Sequence, residues 1–272
     1  MTTPPKQEAI TTKIWNEIPE DDDPFAAKAC YCSGFDVYGE LLGKASYIEY
    51  LYLLFKLEPP SQNQAKLLEG LSIALANPGI RDHSVRAAMN AGVGGSTHAS
   101  ALVAALAVGA GNLGGGREVY NMVKYWEQCG TDINSWEQMI KEPPIEERAD
   151  VWPPMEHVPG FDPNGVGCTL PVKQVLAHMV RVGESEKLEW LQTNRERLEQ
   201  FAECPLAMSG IAASVLHELQ LNPDQAEMLF LLLRLPGAAV HALEQEQLGW
   251  RRYPFFGEGL KLQEYDSTGE PE

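Results

Sequence analysis

The feature that most constrains the fold is a succession of helix start and stop signals with no strand pattern between them. Ser46 and Glu49 have the spacing of a capping box, and an apolar run follows them. Proline or glycine ends most of the periodic segments further along the chain. No segment alternates apolar and polar residues over the length of a strand. The sequence therefore predicts an all-α protein.

The caps and breakers also predict where the helices lie. Helices are expected at 46–57, 62–76, 87–108, 117–128, 134–139, 170–182, 185–202, 209–219 and 225–235, with a last one after Pro236 that ends at Leu248. The stretch 87–108 is rich in Ala, Gly and Ser, and small side chains let helix backbones approach closely, so we expect it to lie between other helices. The Pro-rich stretch 141–159 is predicted to be a loop.

The charge of the chain excludes some classes of partner. With 21 Lys and Arg against 38 Asp and Glu among 272 residues, the net charge is −17. Phosphate backbones and anionic membrane surfaces would repel such a chain, so neither nucleic acid nor a membrane is expected as a partner. A small anionic ligand needs only a local cationic pocket and remains possible.

The cysteines indicate a reducing compartment. There are five of them, an odd number, and no apolar export signal precedes them, so we expect a cytoplasmic protein without disulfides. Cys30 and Cys32 do not have the spacing of a metal-binding pair and are expected to be buried thiols. No histidine pair has a metal-ligand spacing either, so no metal is expected.

The glycine-rich run 111–116 is the most unusual local motif. It lacks the lysine of a P-loop and follows a predicted helix instead of a strand, so a Walker or Rossmann interpretation fails. Two interpretations remain open: a backbone that lets a ligand approach the start of the next helix, or a tight turn between helices.

Three further features are candidates for ligand binding. His83 follows Asp82 at a predicted helix start, where an imidazole could meet a carboxylate or carbonyl of a ligand. Arg251 and Arg252 precede an aromatic run, which suits bidentate capture of a carboxylate or phosphate. A solvated arginine pair that offsets nearby acids is the competing interpretation.

Seven segments form a recognisable series along the chain: 34–43 (GFDVYGELLG), 46–60 (SYIEYLYLLFKLEPP), 80–84 (IRDHS), 108–116 (VGAGNLGGG), 158–163 (VPGFDP), 205–210 (PLAMSG) and 234–245 (RLPGAAVHALEQ). In this order they resemble the motifs of the citrate synthase superfamily, and most of all those of its citryl-CoA lyase branch and the corresponding module of ATP-citrate lyase. The first helical block and the late helix are the most specific of these.

The resemblance implies a citrate synthase-like all-α fold with a large domain (26–116 and 226–272) and a small domain (117–225). The polar and acidic segment 1–25, which precedes the resemblance, is predicted to be flexible. The resemblance also implies a homodimer, or an oligomer with a paralogue. The implied ligands are acyl-CoA esters, with coenzyme A as part of the substrate, and small oxo or hydroxy acids. Family members make or break a carbon–carbon bond next to the thioester, using an acid–base carboxylate and histidines that polarise carbonyls.

The sequence departs from the family pattern at the residues that carry out the family's reaction. Leu113, or Gly114 with a shift of one residue, stands where the family has a histidine before its glycines, and Pro163 stands at the second histidine. The family aspartate becomes Ser209, or Leu206 if aligned on the longer synthases. The segment 171–173 replaces the arginine-bearing motif, and only His83 of the polar set is retained.

Two hypotheses follow. The first is an enzyme, a carbon–carbon lyase or acyl-CoA-dependent synthase, that makes or breaks a carbon–carbon bond in an acyl-CoA thioester other than citryl-CoA by retro-aldol or retro-Claisen chemistry. The second is a non-catalytic subunit that binds acyl-CoA or pairs with an active paralogue. For the first, the catalytic candidates are His83, Asp162 and Ser209, and the substrate-binding candidates are Leu113, Gly114, Gly115, Phe161, Asn164, Arg234, Arg251 and Arg252.

Overall fold

The structure, a computed structural model, describes residues 12–143 and 156–253. In these ranges the chain is mostly helical, which confirms the predicted fold class. The helices are α1 (Tyr47–Lys56), α2 (Gln62–Leu75), α3 (His83–Val93), α4 (His98–Gly109), α5 (Gly116–Cys129), α6 (Ile133–Lys141), α7 (Leu170–Gly183), α8 (Glu186–Ala202), α9 (Met208–Glu218) and α10 (Pro223–Leu248).

The predicted capping box at the start of α1 is present. Ser46 Oγ accepts a hydrogen bond from the Glu49 backbone N–H, and the Glu49 carboxylate accepts one from the Ser46 backbone N–H. Ser61 and Gln64 form the same pair at the start of α2. Each box satisfies two backbone donors that a helix start leaves open, which explains why these boundaries follow the sequence so closely.

A small antiparallel sheet precedes the helices and was not predicted. It pairs β1 (Asn16–Pro19) with β2 (Ala27–Cys32) and β2 with β3 (Phe35–Asp36). β3 has only two residues, too few to show the alternation that marks a strand, and the six residues of β2 (AKACYC) include no β-branched residue. β1 falls in the segment 1–25, and β2 buries Cys30 and Cys32 as expected of core thiols.

The prediction of one helix at 87–108 was wrong, because the structure has two, α3 and α4. Gly94 caps α3 and Gly95 follows it with a φ of +78°. That conformation is accessible to glycine and costly for other residues, so the chain turns there.

The prediction of a helix end at Leu235 was also wrong, since α10 continues through Pro236. The proline removes one backbone hydrogen bond, but Leu233 before it and Ala238 after it are each buried, so packing holds both flanks helical. By length and composition α10 could also cross a membrane, with a mean hydropathy of 1.4 over its most apolar stretch, of which 44% is buried inside the protein.

The chain divides into two compact units, each with its own core. The first unit comprises 12–77 and 109–234, and the second comprises 78–108 and 235–253. Trp126 and Trp136 are the largest buried side chains of the first core. The second core is built mostly of small residues from α3, α4 and the end of α10. The domain bounds implied by the family resemblance stay a prediction.

A half-buried histidine makes the stability of the first unit depend on pH. His217 stacks on Trp126 with ring centroids 5.9 Å apart. Burial, and to a lesser extent the charge of Lys187, lowers the pKa of His217 from 6.5 to about 4. Between these values the unfolded chain binds a proton that the folded chain does not, so stability falls as the pH drops from 6.5 to 4.

We therefore expect His217→Phe to flatten the pH dependence of the free energy of unfolding in this window. Because the ring is partly exposed, the difference between pH 7 and pH 4 should be on the order of 1–2 kcal/mol. Urea denaturation followed by circular dichroism at several pH values measures it. The exposed His98 serves as control, and a His98→Gln variant should keep the wild-type profile.

Candidate active site in the first unit

The glycine-rich run forms the turn that leads into α5. Gly114 has a φ of +62°, and Gly115 is the N-cap of the helix. A Cβ on Gly115 would lie 2.7 Å from the carbonyl oxygen of Gly109. Position 114 therefore requires glycine for its backbone conformation, and position 115 requires it because the neighbouring backbone leaves no room for a Cβ. The turn presents the first residues of α5 to the interior of the unit.

Glu118, in the first turn of α5, is the centre of the site and is 1% exposed. Its Oε1 accepts hydrogen bonds from the backbone N–H of Gly160 at 3.0 Å and from the hydroxyl of Ser209 at 2.5 Å. Its Oε2 accepts one from the backbone N–H of Gly114 at 2.5 Å and lies 3.3 Å from Nε2 of His157. We call Glu118 and these four partners the Glu118 cluster.

The cluster satisfies the requirements of a buried carboxylate. An anion in an apolar interior is costly unless donors surround it, and four groups contact this one. The N-terminus of α5 also favours a negative charge in its first turn. Glu118 thereby joins the glycine-rich turn, the 157–160 segment and the start of α9.

A short backbone pairing extends the site from Gly160 to Asp162. The Ala207 N–H donates to the Gly160 carbonyl and the Asp162 N–H donates to the Pro205 carbonyl, both at 2.9 Å. Phe161, between them, pairs with Leu206 and is buried in the core. This pairing holds Asp162 near the segment that starts α9.

The pairing brings two glycines into contact. A Cβ on Gly210 would collide with the Gly160 carbonyl oxygen, and one on Gly160, whose φ is +84°, would lie 2.9 Å from the Gly210 Cα. Gly210→Ala should therefore lower the free energy of unfolding by roughly 1–3 kcal/mol despite alanine's better helix propensity. Thermal denaturation of this variant beside Gly167→Ala, where a Cβ meets nothing within 4 Å, tests the expectation. Equal midpoints would contradict it.

Asp162 differs from Glu118 in its environment. Its Oδ1 accepts a hydrogen bond from the Asn164 backbone N–H at 2.9 Å, which forms a local turn. Asp162 is half-buried and Asn164 is exposed. The Asp162 carboxylate is thus a candidate for direct contact with a ligand, whereas Glu118 is enclosed.

Arg234 holds the glycine-rich turn from the other side. Its Nη1 donates to the Gly114 carbonyl at 2.9 Å, and its guanidinium lies 4.8 Å from the centre of the Phe230 ring. Because Arg234 is buried, the structure gives it a role in positioning the turn. Leu113, the residue before Gly114, is exposed.

The remaining candidates belong to the second unit. His83 is the first residue of α3 and is exposed, and Asp82 caps that helix by accepting a hydrogen bond from the Ser84 N–H at 2.9 Å. Arg251 and Arg252 lie in a short 3₁₀ turn and are also exposed. Their participation in one site with Asp162 and Ser209 stays a prediction.

An open groove of about 480 Å³ lies beside the Asp162 turn. Glu196, Glu199 and Glu203 line it together with two cations, Lys173 and Arg195. Arg195 is paired with Glu199 at 2.6 Å and with Glu196 at 2.8 Å. The groove is therefore acidic on balance and unsuited to phosphate groups.

The sequence did not single out Glu118 or His157. An acidic residue in the first turn after a glycine-rich run was the available signal for Glu118, because helix starts favour acidic residues. His157 carried no signal of its own, since its partner is 39 positions away in the chain. Among the described residues, no group of three or more His, Cys, Asp or Glu side chains could hold a metal ion.

Comparison with known proteins identifies the fold. No protein-family model and no curated protein matches the sequence. The structure is similar to citryl-CoA lyase from Hydrogenobacter thermophilus, with a TM-score of 0.68 and 18% identity, over 93% of this chain and 96% of that chain.

Two ATP citrate lyase structures are similar as well. That of Methanothrix soehngenii, in complex with citrate and coenzyme A, has a TM-score of 0.70 and 16% identity, over 99% of this chain and 43% of that one. A mutant of the Methanosaeta concilii enzyme in complex with (3S)-citryl-CoA has a TM-score of 0.71 and 15% identity, over 98% and 43%. The chain therefore has a citrate synthase-like fold, and at these identities the likeness extends to the fold alone.

Proposed function

We propose that the chain is a citryl-CoA lyase-like enzyme that makes or breaks a carbon–carbon bond in an acyl-CoA thioester other than citryl-CoA. The observation that carries this proposal is the Glu118 cluster, a buried and fully partnered polar centre within the citrate synthase-like fold. The similar ATP citrate lyases bind coenzyme A or citryl-CoA, which favours an acyl-CoA ligand here. Pro163 and Ser209, at positions where the family has catalytic residues, favour a substrate other than citrate.

The proposed cleavage is a retro-aldol reaction. A base takes the proton of the hydroxyl on the β-carbon, and the O–H electron pair becomes the new C=O bond. The bond between the α- and β-carbons breaks, and its electrons form the enolate of the shorter thioester. Protonation of the α-carbon completes the reaction, and the reverse steps condense the two products.

Two side chains are proposed for these steps. Asp162, a half-buried carboxylate held by the pairing with Pro205, takes the hydroxyl proton. His83 donates a hydrogen bond to the developing enolate oxygen. The exposed Arg251 and Arg252 are proposed to bind the carboxylate or phosphate groups of the ligand.

Ligand binding tests the proposal without knowledge of the substrate. Thermal unfolding of the protein should be followed with coenzyme A, acetyl-CoA and several branched acyl-CoA esters. At a hundredfold excess over Kd, binding stabilises the folded state by about 2.7 kcal/mol, which corresponds to a shift of a few degrees. If no thioester shifts the midpoint, the proposal is wrong.

We also propose that the protein is a dimer of two copies of this chain. Ala101 and Ala105 of α4 are buried in the second core, yet Val103 on the same helix is 63% exposed. Val240 and Leu243 of α10 are exposed as well. Helices that are apolar on both their buried and their exposed faces are expected to be covered by another surface.

Val103→Glu is expected to weaken this dimer by at least about a hundredfold, because a carboxylate would be buried in the interface. Sedimentation velocity at micromolar concentration should show the wild type as a dimer and the variant as a monomer. Ile73, on α2 of the first unit and 74% exposed, provides the control, and Ile73→Glu should sediment as the wild type does. A monomeric wild type would contradict the proposal.

A further inference from the structure

His157 and Glu118 form a carboxylate–imidazole pair to which the proposed reaction steps assign no role. The His157 side chain is 9% exposed, and its Nε2 lies 3.3 Å from Glu118 Oε2. A carboxylate only accepts hydrogen bonds, so in this contact Nε2 is the donor and Nδ1 is the ring nitrogen on which a lone pair can lie. Nδ1 is on the other side of the ring from the contact with Glu118. The pair thus has the arrangement of a base oriented by a carboxylate.

The same carboxylate contacts one of the two positions at which the family aspartate can be aligned. These positions are Ser209 and Leu206, and the Ser209 hydroxyl donates to Glu118 Oε1 at 2.5 Å. Position 209 itself carries no carboxylate. The carboxylate of Glu118, on α5, lies in hydrogen-bond contact with it instead. Because Glu118 is 1% exposed and already accepts four contacts, it has no access to a ligand, whereas His157 has some.

We propose that His157, oriented by Glu118, transfers the proton at the α-carbon of the acyl-CoA thioester. This inference rests on the proposed function and assigns the one step for which Asp162 and His83 have no role. In the condensing direction the Nδ1 lone pair takes the α-proton, the C–H electron pair becomes the enolate C=C bond, and the carbonyl oxygen takes the negative charge. In the cleaving direction the imidazolium returns the proton to carbon. Glu118 is a positioning residue that stabilises the imidazolium.

Exchange of the acetyl-CoA methyl protons with D₂O tests this step alone. The wild-type protein should incorporate deuterium, detected by mass spectrometry, without a second substrate. His157→Gln should lower the exchange rate about a hundred- to ten-thousandfold. Glu118→Gln should lower it at least about tenfold. Neither change should alter the thermal shift that acetyl-CoA produces by more than a few-fold in apparent Kd.

Chemical rescue separates a catalytic from a structural role. Added imidazole should restore exchange to His157→Ala, which it would not do if His157 only supported the fold. His178, a histidine on α7 that contacts Arg181, is the control, and His178→Gln should exchange at the wild-type rate. If His157→Gln exchanges at the wild-type rate, the inference is wrong and the proposed function is unaffected. A wild-type protein that binds acetyl-CoA but exchanges nothing would overturn both.

Discussion

Glu118→Gln is expected to lower the free energy of unfolding by about 2–4 kcal/mol, the largest stability effect of any single change in the site. The amide keeps one acceptor oxygen but places an NH₂ group where the carboxylate accepts hydrogen bonds. Two of the four donors, for example the Gly114 N–H and His157 Nε2, would then lose their acceptor in a buried environment.

Guanidinium denaturation followed by far-UV circular dichroism measures this effect. Glu227→Gln is the matched control, because Glu227 makes a 3.7 Å ion pair with Arg117 and is less enclosed. Glu227→Gln should lower the free energy of unfolding by less than about 1 kcal/mol. Equal effects of the two substitutions would show that Glu118 is not the centre that holds the three segments together.

Asp162→Asn is expected to lower turnover about a hundred- to ten-thousandfold while acyl-CoA affinity changes only a few-fold. The amide has the shape of the carboxylate but cannot take the hydroxyl proton. His83→Ala should act on the same step by removing the donor to the enolate oxygen. Steady-state cleavage or condensation rates, with Kd from thermal shifts, separate the two quantities.

Matched variants accompany both changes. Asp224 is an exposed aspartate in the first turn of α10, and His98 begins α4 as His83 begins α3. Asp224→Asn and His98→Ala should turn over at the wild-type rate. If Asp162→Asn and His83→Ala are also unchanged, the proposed base and donor are wrong.

Local signals in the sequence were sufficient to predict most helices. The caps at Ser46 and Ser61 fix their helix starts through contacts three residues away, which a sequence displays directly. The prediction of a helix end before Pro236 was wrong because the rule that proline ends a helix takes no account of packing. Buried residues on both sides of Pro236 keep α10 continuous. The two-residue and four-residue strands were missed because short strands carry no period.

The candidate site was predictable only in part. The glycine-rich run and Ser209 stood out in the sequence, and the structure joins them, but through Glu118, which did not. The contacts of Glu118 reach Gly160 and Ser209, 42 and 91 positions away. No local pattern records such contacts, so a buried polar centre of this kind becomes visible only when the chain is folded.

The central claim, carbon–carbon chemistry on an acyl-CoA thioester, is tested most directly by condensation. The purified protein should be incubated with acetyl-CoA and each of a panel of 2-oxo acids, and the acyl-CoA pool analysed by mass spectrometry. The account predicts a new hydroxyacyl-CoA whose mass is the sum of the two reactants, formed by the wild type and not by Asp162→Asn. Acetyl-CoA binding with no such product from any 2-oxo acid would contradict it and would favour a non-catalytic, acyl-CoA-binding subunit.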